Sequence, residues 1–156
     1  MMVTYISAFF ASFFFAILFN VRGRLLVYSA LCGMLGEIVF DVLSDYGMIF
    51  QFLMATIAMG IYAEIFARIF KAPVLVIIIV GILPIVPGAG VYNTIDSLLN
   101  GQMSAFYTYG NNTLLSTGAM ALGLVLVSSV VRLLKMIRRQ VPSGIKTHHG
   151  FSTRMR

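Results

Sequence analysis

Apolar positions fall in five stretches, at about residues 5–19, 25–43, 48–66, 74–83 and 113–131, the last extendable back to Tyr107. The strings between them are polar or turn-forming: Asn20-Val-Arg-Gly-Arg24, Ser44-Asp-Tyr-Gly47 and Ala67-Arg-Ile-Phe-Lys71 followed by Ala72-Pro73. Four of the runs approach the roughly 20 residues that carry a helix across a hydrocarbon layer about 30 Å thick. The pattern predicts an all-α fold, a polytopic membrane helix bundle of about five transmembrane helices. The first run lacks the basic start and cleavage site of a signal peptide and is read as a mature helix.

The fourth stretch is interrupted. Pro84 and Pro87 each remove a backbone donor and obstruct the preceding turn, and Gly88 and Gly90 admit backbone angles that other residues resist. Pro84 lies eleven positions after Pro73, a rise of roughly 16 Å, so the break is expected near the membrane midplane. A second helical piece, about residues 91–99, completes the crossing before Asn100-Gly101 turns the chain. Backbone groups freed at that depth must be covered by protein or face a wet cavity, because lipid satisfies none of them. The second piece would aim free amides and a positive dipole end at the membrane centre, which suits a carboxylate. Pro84, Pro87, Gly88, Gly90, Tyr92, Asn93 and Asp96 are therefore the candidate substrate-binding residues. For Asp96 two readings stand: a partner for a substrate ammonium, or a solvated side chain.

Composition removes whole classes of function. Hydrophobic residues make up 60% of the 156 and charged residues 10%, against roughly 25% charged in soluble domains. A soluble monomer is excluded, and five crossings leave no room for a catalytic domain outside the membrane. The single cysteine, Cys32, permits neither a disulfide framework nor a cysteine zinc site. No Ser/His pair, paired aspartates or HExxH motif suggests an enzyme. No cofactor is expected.

The net charge of +6 comes from eleven Lys and Arg residues clustered between the apolar runs. With five crossings and an outside N-terminus, all eleven fall on the cytoplasmic side, as short cytoplasmic loops require. They therefore set topology and touch anionic lipid rather than nucleic acid. Residues 1–139 are read as one membrane domain and 140–156 as a basic, mobile cytoplasmic tail. His148-His149 in that tail has no carboxylate or cysteine beside it, so no metal site is assigned.

Glu37, Asp41 and Asp45 are spaced by four, and the row extends back through Gly33 to Ser29, so one face of the second helix is small and then acidic. A charged side chain near a bilayer centre costs about 2.5–3.5 kcal/mol on the insertion scale, so Glu37 is expected to face the protein interior. Glu37 and Asp41 are the proton-coupling candidates. The alternative for Glu37 is a protonated carboxyl bonded to a neighbouring helix or subunit. Ala8, Ser12 and Ala16 form a ridge of small residues in the first helix, and Ala119 with Gly123 another in the fifth. Asn111, Asn112, Ser116 and Thr117 make the outer half of the fifth helix polar, and are candidates to line the same cavity as Asn93 and Asp96.

At Pro84-Ile-Val-Pro-Gly88, followed by Tyr92 and a short polar helix, the sequence resembles the threonine/serine exporter family, in particular its small C-terminal-type membrane module. The resemblance covers roughly residues 5–140. It implies export of hydroxylated amino acids or small dicarboxylates across a bacterial inner membrane. The family's other half, a membrane bundle bearing a hydrophilic domain, is missing here, so the resemblance also implies a larger membrane partner subunit, a homo-oligomer, or both. Two functions follow: a transport subunit moving a small carboxylate-bearing substrate outward, and a scaffold that holds a larger partner without binding substrate.

Overall fold

A computed structural model describes residues 2–140. Among these residues the fold is all-helical. The helices are α1 (Met2–Leu18), α2 (Arg24–Val42), α3 (Met48–Phe70), α4 (Val74–Ile82), α5 (Gly88–Leu99) and α6 (Met103–Gln140), with a 3-10 turn at Ser44–Tyr46. By length and composition α2, α3 and residues 103–137 of α6 are each able to cross a membrane, and α1 is a shorter apolar helix. Neither α4 nor α5 is long enough alone.

Helix boundaries follow local chemistry. Lys71 takes the left-handed conformation, φ 52°, and closes α3, while Pro73 precedes α4 with φ −63°. Helix α6 starts ten residues before the last apolar run, because nothing between Met103 and Thr113 breaks a helix. Its threonines bond back onto the preceding turn: Thr108 to the Ser104 carbonyl at 2.9 Å, Thr113 to Tyr109 at 2.7 Å and Thr117 to Thr113 at 2.8 Å. Such bonds hide hydroxyls within the helix and let a polar segment stay helical.

Side-chain contacts give each helix a direction. Helix α2 is antiparallel to α1, with Tyr5 against Asp41 and Ser12 over Gly33. It is also antiparallel to α3, where Tyr62 donates to the Tyr28 carbonyl at 3.1 Å and Phe40 meets Phe52 edge-on. Helix α4 runs parallel to α2, with Gly81 at Cys32 and Ile85 at Gly36. Helix α6 runs parallel to α3, Gly123 lying on Thr56 and Gly60 on Val127. The small residues predicted as packing ridges hold these contacts: Ala8, Ser12, Ala16, Ala119 and Gly123 are all buried. Without a hydrophobic force between helices in lipid, close backbone approach at such residues is what gains dispersion energy.

These directions bring Arg22, Arg24, Arg68, Lys71, Arg132 and Lys135 to one end of the bundle and Tyr5, Asp41 and Asp45 to the other. The described core centres on Met59, Ile77, Cys32 and Ala55 where α2, α3 and α4 meet. Helix α5 stands apart from that core and packs on α6. Of the tail expected at residues 140–156, Gln140 is the last residue of α6 and the rest lies outside the described residues.

Candidate functional site

Helix α4 stops at the level of the central turns of its neighbours. Gly81 lies against Cys32 and Met59, and Ile85 against Gly36 and Met59; Met59 is the middle residue of α3. Proline explains the stop. Pro84 cannot donate to the α4 ladder, and the chain tightens instead, with the Ile85 and Val86 amides both donating to the Ile82 carbonyl at 3.0 and 3.2 Å. Pro87, at φ −72° and ψ 58°, is not helical and stands just before α5 without a side-chain cap.

The start of α5 leaves donors open. The Gly88 amide reaches the Val86 carbonyl at 2.6 Å and the Val91 amide the Pro87 carbonyl at 3.2 Å. The amides of Ala89 and Gly90 have no acceptor among the described residues. These are the groups that a helix N-terminus offers to an anion. Ile85 is buried at this point, Pro84 and Pro87 are half-buried, and Gly88 is exposed, with open space where a side chain would stand.

Gly90 is present for a different reason: a Cβ there would run into the hydroxyl of Thr113, so glycine sets how closely α5 approaches α6. The Thr94 hydroxyl donates back to the Gly90 carbonyl one turn earlier at 2.7 Å, and its methyl packs at Gly110. Asn93 is partly buried, whereas Tyr92 and Asp96 are exposed on α5. Asp96 makes no ion pair with another described residue.

Asn112 and Ser116 are brought together with the start of α3, around a cavity of about 480 Å³. Its walls come from Tyr46, Gly47, Met48, Ile49, Phe50 and Leu53, not from Asn93 or Asp96. Asn111 and Thr117 are exposed on α6 and do not line it. A second cavity, about 380 Å³, lies between the other halves of α3 and α6 and is apolar except where Glu64 and Arg68 form an ion pair at 3.3 Å.

The acidic row of α2 faces α1 at its outer end. Tyr5 donates its phenolic hydroxyl to Asp41 at 2.5 Å. Nothing in the residue order singles out Tyr5 as a partner of Asp41; the one signal is its position fifteen residues before Asn20, which places it beside Asp41 once α1 and α2 pair antiparallel. Glu37, one turn deeper, is partly buried and makes no side-chain hydrogen bond to a described residue. Below it Ser12 and Ser29 are fully buried, and neither hydroxyl finds a partner among the described residues. No group of three or more His, Cys, Asp or Glu side chains stands ready for a metal ion among the described residues.

A family model described as Threonine/Serine exporter, ThrE matches residues 4–130. The chain belongs to the threonine/serine exporter family. Comparison with curated proteins and with solved structures gives no match. The matched span contains all six helices except the ends of α1 and α6, and every candidate site residue from Glu37 to Thr117. This exporter family is a family of transporters rather than enzymes, and the apolar helices agree with a multi-pass membrane protein.

Proposed function

We propose that this exporter-family chain is a membrane subunit moving an amino acid or a small carboxylate out of the cell across a bacterial inner membrane, with five crossings, N-terminus outside and C-terminus inside. Helices α4 and α5 act as two halves of one broken crossing in this reading. The alternating directions of α1, α2, α3, α4 and α6, with the described basic residues at one end, support that count. The observation that carries transport is the end of α4 at the level of Met59, followed by the open Ala89 and Gly90 amides. Gly88 gives a carboxylate access to the Ala89 and Gly90 amides, Asn93 and Asp96 offer polar contacts beyond them, and Glu37 or Asp41 exchanges a proton.

The larger partner subunit supplies the remaining walls. Val91, Ile95 and Leu98 on α5 are exposed and apolar, as a helix awaiting another helix would be. The same surface supports the second reading, a scaffold that holds its partner and leaves substrate to it. Replacement of Asn93 by alanine separates the two when efflux of L-threonine from loaded cells and pull-down of the partner are measured together. Lost efflux with the complex intact supports transport. Intact efflux at unchanged rate removes this segment from the substrate path, and a lost complex supports the scaffold.

A further inference from the structure

Helix α3 begins without a cap. Gly47 precedes it at φ 90° and ψ 148°, a region that strongly favours glycine, and no side chain bonds the first turn. The Gln51 amide reaches the Gly47 carbonyl at 3.1 Å, and the Gln51 side chain is occupied with the Ser44 carbonyl at 2.9 Å. The amides of Met48, Ile49 and Phe50 have no acceptor among the described residues. Three donors and the positive end of a 23-residue helix therefore converge on one place.

That place is a cavity, which is where this helix start differs from that of α5. Met48, Ile49 and Phe50 all line the 480 Å³ space, and Asn112 and Ser116 of α6 form its facing wall. Ser116 is fully buried, and its hydroxyl has no hydrogen-bond partner among the described residues. Serine in a membrane helix ordinarily bonds back to its own preceding turn, as the threonines of α6 do. A buried, unpaired hydroxyl on a residue that lines the cavity, across from the uncapped start of α3, is an unfilled donor.

We infer that this cavity is an outward-facing binding site for the carboxylate of a small α-amino acid, held by the amides of Met48 to Phe50 and the Ser116 hydroxyl, with the Asn112 amide reading the rest of the ligand. The amino-acid class rests on the exporter reading; the carboxylate rests on the donors. Charge selects against a dicarboxylate. Residues 72–131 contain no Lys or Arg, and the described basic residues lie at the opposite end of the bundle. A second carboxylate would have no cation to meet. An ammonium would have Asp45, one residue from the Tyr46 rim.

The test uses the full chain in lipid nanodiscs, with calorimetric titration of L-threonine and of succinate. Threonine is expected to bind and succinate to bind at least about tenfold more weakly. Ser116→Ala removes one hydrogen bond to a charged group and should weaken threonine binding by roughly tenfold or more, while the thermal midpoint holds or rises because an unpaired buried hydroxyl has gone. Asn112→Ala should weaken binding with the midpoint unchanged, and Gly118→Ala, where an added Cβ meets nothing within 4 Å, should leave this affinity alone. No binding by the unmodified chain, equal binding of succinate, or binding within twofold of the unmodified chain in both Ser116→Ala and Asn112→Ala overturns the site. Efflux from cells expressing the chain with its partner is scored separately. Efflux that survives a negative titration leaves the exporter reading standing without this site, and absent efflux removes that reading whatever the titration gives.

Discussion

Tyr5 and Asp41 are joined by a hydrogen bond of 2.5 Å between α1 and α2, at the end of the bundle away from its described basic residues. The bond ties the first helix to the acidic row. Tyr5→Phe keeps the ring and removes the donor, leaving a half-buried carboxylate to find another. A loss of about 1–3 kcal/mol of stability is expected, read from denaturant unfolding in detergent micelles. Unchanged stability would show that Asp41 is satisfied by water.

Glu37 is one turn deeper than Asp41 and makes no side-chain hydrogen bond to a described residue. If its proton exchange drives export, Glu37→Gln abolishes the dependence of efflux on external pH while the protein still inserts. The measurement is efflux rate across a pH series in cells expressing the variant with its partner. A pH profile identical to that of the unmodified chain removes Glu37 from coupling.

Two glycines of α6 make a matched pair. A Cβ at Gly123 would collide with Thr56 and the Leu53 carbonyl of α3, whereas at Gly118 it would meet nothing within 4 Å. Gly123→Ala is expected to cost about 1–3 kcal/mol through overpacking. Gly118→Ala should be neutral or stabilising by up to about 1 kcal/mol, the helix-propensity gain. Thermal unfolding of both variants in the same micelles checks the pair, and equal midpoints would refute the close packing of α3 on α6.

Pro84 and Pro87 hold the end of α4 apart from the start of α5. The double change Pro84→Ala with Pro87→Ala restores two donors and lets one helix run through. Efflux is expected to fall at least about tenfold, the effect of a lost charge-binding group, with expression and partner association retained. Full activity in the double variant would show that the interruption serves packing alone.

The crossing count is open to a labelling test. Cys32 is fully buried, so an added cysteine reports without interference. With five crossings, Asp45→Cys reacts with a membrane-impermeant maleimide added to intact cells, and Lys71→Cys reacts only after permeabilisation. Labelling of both from one side would overturn the topology.

Much of the architecture was legible in the residue order. Runs of about 20 apolar residues mark α2 and α3 because a helix in lipid must be that long, and the strings holding Arg22 and Arg24, and Arg68 and Lys71, mark the breaks between helices at one end of the bundle. The interruption at Pro84 and Pro87 was legible for a similarly local reason: a missing backbone donor is a property of the residue itself. The length of α6 was not, since hydropathy fades at Thr108, Asn111 and Asn112 while the helix does not.

What hydropathy does not carry is which faces meet. Ser12, Gly33, Gly36, Gly60, Gly81 and Gly123 each allow a close approach, and nothing in their order says that Gly33 takes Ser12 or that Gly123 takes Thr56. Only the packed bundle decided that α5 lies on α6 rather than in the α2–α3–α4 core, and that Asn112 and Ser116 face the open amides of α3 rather than Asn93 and Asp96. Partition between water and lipid is settled residue by residue along one chain, whereas pairing depends on the shapes of two surfaces at once, and those surfaces exist only after the helices have met.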